Sequence, residues 1–123
     1  MLMPPPFTSE EAPHHSALLR AIDAGFQFLH LSESEGQEIA AIYAERWCSY
    51  GVVESFTIRG MNEAVSARIR TENYPDGDPL WQHTGSVEAV ITELLALPPH
   101  GFPGAPTITR RRFSGLLLLP GTL

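Results

Sequence analysis

The side chains best suited to chemistry are five histidines and one cysteine, and they are scattered along the chain. The histidines are His14, His15, His30, His83 and His100, and the single thiol is Cys48. A metal site needs three or four ligands at fixed short distances. The best candidate for a metal or catalytic site combines His30 with His83, near Cys48. This site requires the strands that carry the two histidines to pair. The competing interpretation is that the histidines are structural or exposed. On this interpretation the sequence predicts no metal and no cofactor.

The candidate nucleophiles for catalysis are Cys48 and Ser86, and His83 is the candidate base. Ser86 is better placed to cap a helix, and the nearest cation in sequence that would activate Cys48 is Arg46. The sequence contains no phosphate loop, dinucleotide fingerprint, zinc-finger cysteine pairs or His-Glu-x-x-His motif. It also contains no lysine, which excludes Schiff-base and lysine-base chemistry. Catalysis is left open, and a non-catalytic role is favoured.

Aromatic and arginine side chains offer binding surfaces. Tyrosine and tryptophan anchor protein interfaces, although core packing is the usual fate of aromatic rings. The interface candidates are Tyr50 and Tyr74 in predicted loops, Trp81, the arginine run Arg110, Arg111 and Arg112, and the adjoining Phe113. The arginine run with Phe113 suits phosphate contacts and base stacking. A formal net charge of −6 argues against nucleic acid, and pairing of the run with acidic parts of the chain is the alternative.

Length, charge and composition indicate one ordinary globular domain. The chain has 123 residues, 43% of them hydrophobic and 18% charged. A chain of this length can form one hydrophobic core without disulfide bonds or a structural metal. Residues 1–63 carry nine acids against three arginines, and residues 64–123 carry five of each. A lone cysteine, no secretory signal in residues 1–13 and no apolar run near 18 residues predict a cytoplasmic protein without membrane contact. Arginine without lysine indicates a GC-rich bacterial genome.

Two helices are expected. Residues 1–13 contain four prolines and read as an extended arm. Residues 14–24 repeat apolar side chains at helical spacing, and Gly25 stands where a left-handed residue ends a helix. The second helix begins after Ser86 and extends to Leu97, because apolar residues recur every three or four positions before Pro98 and Pro99. Those apolar residues are Val87, Val90, Ile91, Leu94 and Leu95.

The strands are predicted from alternation. Residues 25–31, 52–59, 64–71 and 80–84 alternate, and residues 52–71 form a hairpin with β-branched side chains on one face and arginines on the other. That pattern predicts a sheet with one solvated face. Residues 37–48 fit either an amphipathic helix or a strand, and the tight connection at residues 49–51 slightly favours a strand that starts from a turn at Gly36.

These elements predict an α+β fold: one antiparallel β-meander covered by the C-terminal helix, with a short N-terminal helix. The domain spans residues 14–97, between the arm and a Pro/Gly-rich tail at 98–123. The tail holds two apolar fragments, 107–109 and 116–119, that would dock as added strands on this domain or on a partner.

The functional hypothesis is a non-catalytic regulatory, immunity-like or accessory domain that binds a protein partner. In a second form of this hypothesis, the partner is another copy of the chain, and the two copies form a homodimer through an exposed strand edge. The alternatives are a small enzyme or metal-dependent module using His30 and His83, and a weak nucleic-acid binder using Arg110 to Arg112.

Overall fold

The computed structural model describes the backbone of residues 9–32, 39–75 and 77–109, and the side chains of these residues except 30–32 and 39–40. Two helices and five strands lie within these ranges. In chain order they are α1 (Ala12–Asp23), β1 (Gln27–Ser32), β2 (Ile39–Cys48), β3 (Val52–Gly60), β4 (Glu63–Arg70), β5 (Trp81–Gly85) and α2 (Val87–Leu95). A single 3-10 turn, Thr71–Asn73, follows β4.

The five strands form one antiparallel sheet in the order β1-β2-β3-β4-β5, which confirms the predicted α+β meander. Residues 39–48 are a strand, as the tight connection to β3 favoured. The turn expected at Gly36 lies outside the described residues. In the β3–β4 hairpin Gly60 pairs with Glu63 but Ile58 pairs with Ala64, so Arg59 is an extra residue on β3. Such a bulge moves the register of everything beyond it by one residue.

Helix α2 packs across one face of the sheet. Its first turn is capped as predicted: the Ser86 Oγ accepts a hydrogen bond from the Ala89 N–H at 3.1 Å. Four of its five predicted apolar residues are buried, and Leu95 is partly buried. The Ser66 hydroxyl on β4 donates to the Val90 carbonyl at 2.8 Å, which fixes the helix on the sheet. The core formed with this helix includes Phe26, Ala44, Phe56, Ile58, Ala64, Val87, Val90, Ile91 and Leu94.

Helix α1 lies beside α2 on the same face. It begins at Ala12, inside the segment predicted as an arm, because Pro13 is tolerated in a first helical turn where its missing N–H has no partner to lose. Ala17 and Ala21 are fully buried, so their small side chains allow close approach to the core. The chain leaves the helix through Gly25 at φ +100°, the left-handed residue that the sequence predicted.

Both faces of the central strands are buried, so the expectation of one solvated face was wrong. Every residue from 52 to 58 and from 64 to 69 is buried, including Glu54 and Arg68. Contrary to the prediction, the arginine side of β4 faces the helices, and Arg68 is buried there because Glu54 compensates its charge. On the opposite face, Tyr74 from the β4–β5 connection reaches Tyr43, and its ring contacts Trp47.

The described part of the tail, residues 98–109, follows the domain rather than leaving it. The Arg68 Nη1 donates to the Pro98 carbonyl at 2.7 Å, and the Arg70 Nη2 donates to the Thr107 carbonyl at 3.0 Å. Residues 107–109 form no strand, and Ile108 is 74% exposed. The second apolar fragment, 116–119, lies outside the described residues. Within the described ranges, neither helix is long and apolar enough to cross a membrane.

Candidate functional site

The β2–β3 turn brings several elements together at one end of the sheet. Residues 49–51 connect the strands, and Gly51 takes φ +85°, a left-handed conformation that favours glycine. The Thr71 N–H donates to the Gly51 carbonyl at 2.9 Å, so the end of β4 is tied to the same turn. Residues 98–102, which follow α2, pass beside it. This region is called the turn end below.

Three charged side chains, two of them buried and one partly buried, form a row below the turn end. Arg46 on β2, Glu54 on β3 and Arg68 on β4 are direct cross-strand partners on the face that carries the helices. The Glu54 Oε2 accepts from the Arg68 Nε at 3.0 Å and from its Nη2 at 2.6 Å, and the Oε1 accepts from the Arg46 Nη2. Glu54 and Arg68 are each only 2% exposed. Buried charges persist only when paired and hydrogen-bonded, as here.

The two arginines also join the helices to the sheet. The Arg46 Nη1 donates to the Ala24 carbonyl at the end of α1, at 2.8 Å, and the guanidinium lies 4.8 Å from the centre of the Phe26 ring. Arg68 holds the Pro98 carbonyl just beyond α2. The row therefore ties the segments that follow both helices to the sheet, and it contains two positive charges and one negative charge.

A cavity of about 530 Å³ lies beside the charged row. Apolar side chains form part of its wall, and the exposed Ser49, Tyr50 and Pro99 also line it. Two buried nitrogen atoms in its lining residues have no hydrogen-bond partner: the Arg46 Nε and the His100 Nδ1. A buried polar group without a partner costs about 1–3 kcal/mol, so these two nitrogen atoms lower the stability of the fold. The lining residues are Arg46, Trp47, Cys48, Ser49, Tyr50, Val52, Glu54, Arg68, Leu95, Leu97, Pro99 and His100.

Exposed aromatic rings lie at the turn end. Trp47, Tyr50 and Phe102 are 55%, 55% and 50% exposed. Tyr50 meets Phe102 edge-on with ring centres 5.8 Å apart, and Trp47 meets Tyr74 in the same way at 5.0 Å. Trp47, Tyr50 and Phe102 are called the aromatic rim below.

A carboxylate on the outer face of β2 fixes part of the rim. The Glu45 Oε2 accepts from the hydroxyl of Tyr43 at 3.1 Å and from that of Tyr74 at 2.5 Å, and the Oε1 accepts from the Trp47 Nε1 at 3.2 Å. Burial, and then its hydrogen bond with Tyr74, raises the pKa of Tyr43. Burial, and then its hydrogen bond with Glu45, raises the pKa of Tyr74. Both phenols therefore stay protonated and hold Glu45 as donors, which orients the Trp47 ring.

Cys48 lines the cavity but is not activated. Burial, and then the neighbouring Glu54 carboxylate, raises the pKa of the Cys48 thiol, against a smaller opposing effect of Arg46. The thiol is placed to donate to the Arg46 carbonyl at 3.8 Å. A nucleophilic cysteine needs the opposite shift.

We therefore expect Cys48 to react slowly with iodoacetamide at pH 8, because a raised pKa leaves less thiolate than in an unfolded chain. The rate is measured by mass spectrometry on the folded protein, with a peptide of residues 44–52 as the unstructured reference. In urea the protein should react like the peptide. A folded protein that reacts as fast as the peptide, or faster, would contradict the structural account of this thiol.

The remaining sequence-predicted residues divide into three groups. Tyr50 lies at the turn end, and Tyr74 contacts Trp47 beside it. Trp81 is half-buried against the core, stacks on His83 with ring centres 6.0 Å apart, and pairs across the strands with Arg68 at the end of the charged row. Arg110, Arg111, Arg112 and Phe113 lie outside the described residues.

The structure does not bring His30 and His83 together. His30 is on β1 and His83 is on β5, the two edges of the sheet, with three strands between them. At about 4.8 Å per strand, their backbones are roughly 19 Å apart. The constellation required these strands to pair, and the meander keeps them at opposite edges. Among the residues that the structure describes, no three His, Cys, Asp or Glu side chains converge as metal ligands.

The interpretation of the sequence missed most of this site. Arg46 was considered only as the cation beside Cys48 and Glu54 only as an acid for a catalytic histidine. Arg68 had no assigned role, core packing was favoured for Trp47, and Phe102 and His100 lay in a segment considered a linker. Comparisons with protein-family models, curated proteins and solved structures found no match to the chain.

Proposed function

We propose that the chain is a small protein-interaction module, a regulatory, immunity-like or accessory domain, that acts by binding a protein partner through the turn end rather than by catalysis. The observation that supports this best is the aromatic rim, where Trp47, Tyr50 and Phe102 remain about half exposed at the turn end. Exposed apolar surface grouped in one place is typical of binding sites. Tryptophan, tyrosine and phenylalanine are also the residue types enriched in protein interfaces.

The rim is also held in place before a partner arrives. Trp47 is oriented by Glu45 and Tyr74, and Tyr50 by Phe102, so these rings have little freedom left to lose. The turn that carries Tyr50 is bonded to the end of β4. Preorganised side chains lose less conformational entropy on association, which leaves more of the contact energy as affinity.

The test is affinity capture from the lysate of the source cells, with nuclease treatment and mass spectrometry of the retained proteins. The wild-type chain is compared with a rim variant carrying Trp47→Ala and Tyr50→Ala, and with Ile22→Ala on α1. Ile22 is a matched control because it is 54% exposed, lies on α1, and belongs neither to the cavity lining nor to the aromatic rim. A stoichiometric protein retained by the wild type and the control but lost from the rim variant is the expected result.

Two results would overturn the proposal. One is capture of nuclease-sensitive material alone, which would favour nucleic acid binding through Arg110 to Arg112. The other is a protein retained equally by all three variants, which would place the interface elsewhere. Point substitutions are preferable to ending the chain after Leu97, because residues 98–102 contribute to the cavity and the rim.

A further inference from the structure

We propose that residues 113–119 of the same chain pack across the middle of the sheet, on the face opposite the two helices. This face is called the outer face below, and its central residues are Tyr43, Ser55, Thr57, Val65 and Ala67. The packing of residues 113–119 on this face is independent of the function proposed above.

One row of cross-strand neighbours on the outer face shows an uneven burial. The row contains one residue from each strand, in the order Leu29, Tyr43, Thr57, Val65 and Thr84. Both ends of the row are exposed, Leu29 at 44%, whereas the three central residues are at most 1% exposed. An uncovered antiparallel sheet exposes this face to water along its whole width. A cover that spans about three strands, roughly 10 Å, therefore lies over the middle of the row.

The described helices do not supply this cover, because α1 and α2 pack on the opposite face. The connection between β4 and β5 reaches the outer face through Tyr74, whose hydroxyl lies 3.3 Å from that of Tyr43. This connection lies at the end of the sheet nearer the turn end, beside Trp47. Thr57 and Val65 are farther from the turn end, and no helix or strand among residues 9–32, 39–75 and 77–109 crosses the outer face there.

The cover belongs to this chain, because the exposures are those of one chain alone. The described ranges leave residues 1–8, 33–38 and 110–123 as its sources. Residues 33–38 contain no apolar side chain, and residues 1–8 lead into α1 on the opposite face. Residues 110–123 contain Phe113 and the four leucines Leu116 to Leu119. These side chains suit a face formed by β-branched and aromatic residues, since burial of apolar surface is the main source of packing energy.

The C-terminal segment also starts within reach of the outer face. The Arg70 Nη2 donates to the Thr107 carbonyl at 3.0 Å, so Thr107 lies beside the end of β4. Strand β4 is next to the edge strand β5. An extended chain spans about 3.3 Å per residue, so residues 110–119 extend up to about 33 Å. The five-stranded sheet is roughly 19 Å across, which is well within that length.

The burial pattern favours the face of the sheet over its edges as the docking position. A strand added at either edge would lie beside Leu29 or Thr84, the two exposed ends of the row. It would leave Thr57 and Val65 uncovered, and these are the residues that are buried.

The test is nuclear Overhauser spectroscopy of the full chain, labelled with ¹³C in its methyl groups and aromatic rings. The expected result is a set of cross-peaks from the Leu116 to Leu119 methyl groups to the Thr57 and Val65 methyl groups. A mixture of labelled and unlabelled chains separates contacts within one chain from contacts between two chains. Cross-peaks to Thr57 and Val65 from residues 1–8 instead, cross-peaks only between two chains, or none from residues 113–119 would overturn the proposal.

Matched substitutions at the two ends of the chain provide a second test. Leu117→Ser with Leu118→Ser should lower the melting temperature of the full chain by at least about 5 °C, because apolar contacts with the outer face are lost. Leu2→Ser with Met3→Ser should lower it by less than about 1 °C. A C-terminal variant as stable as the wild type, or a larger loss in the N-terminal variant, would contradict the proposal. If the C-terminal variant does not fold, the cross-peaks of the wild-type chain decide.

Discussion

Replacing Glu54 by glutamine is expected to lower the free energy of unfolding by about 3–5 kcal/mol, because removal of the shared anion leaves the buried guanidinium of Arg68 beside the partly buried guanidinium of Arg46. Arg68 is 2% exposed and cannot recover the loss by hydration. For a chain of 123 residues, each kcal/mol corresponds to roughly 3–5 °C in the melting temperature. Thermal and urea unfolding followed by circular dichroism measure the effect.

Two comparisons sharpen this prediction. Glu63→Gln makes the same charge change at an exposed position on β4 and should alter stability by no more than about 0.5 kcal/mol. Arg68→Gln should cost less than Glu54→Gln, since Arg46 and Glu54 remain as a neutral pair. Equal stability of the Glu54 and Glu63 variants would show that the charged row does not stabilise the fold.

Trp47→Ala is expected to weaken binding of the captured partner by at least about 30-fold, equivalent to roughly 2 kcal/mol. The ring is half exposed and is held edge-on to Tyr74, so it is presented to a partner rather than to the core. Titration calorimetry with the purified partner measures the affinity. Ile22→Ala, with matched exposure on α1, should bind as the wild type does.

Circular dichroism separates binding from folding in this variant. Trp47 contributes to the surface rather than to the buried core, so the variant should unfold cooperatively near the wild-type temperature. A folded Trp47→Ala protein with wild-type affinity would remove the rim from the interface. If Trp47→Ala does not fold, Trp47→Phe is measured instead. It keeps an aromatic ring, so it should lose less affinity for the partner than the alanine variant.

The elements of the fold were largely predictable from local patterns. The three-to-four spacing from Val87 to Leu94 and the cap at Ser86 defined α2, and alternation defined the hairpin of β3 and β4. The faces of that hairpin were not predictable in the same way, because counting back from Gly60 opposite Glu63 places Glu54 opposite Ile69. The extra residue at Arg59 shifts the register and puts Glu54 opposite Arg68.

Part of the candidate site could have been predicted from the sequence. The three-residue connection at 49–51 places Cys48 opposite Val52, and therefore Arg46 opposite Glu54. That pairing was a signal for the charged row that the sequence interpretation did not use. The position of His100 and Phe102 depended on how the segment after α2 packs, which no local pattern encodes. The proposed pairing of His30 with His83 failed because strand order is a property of the whole sheet.

The most direct test of the account is hydrogen–deuterium exchange of the full chain with and without its captured partner. We expect slower exchange on binding at residues 47–51 and 98–104, the two segments that carry the aromatic rim, with α1 and β1 unchanged. Protection confined to the edge of β1 or β5, or to residues 110–113, with the turn end exchanging as in the free chain, would contradict the account.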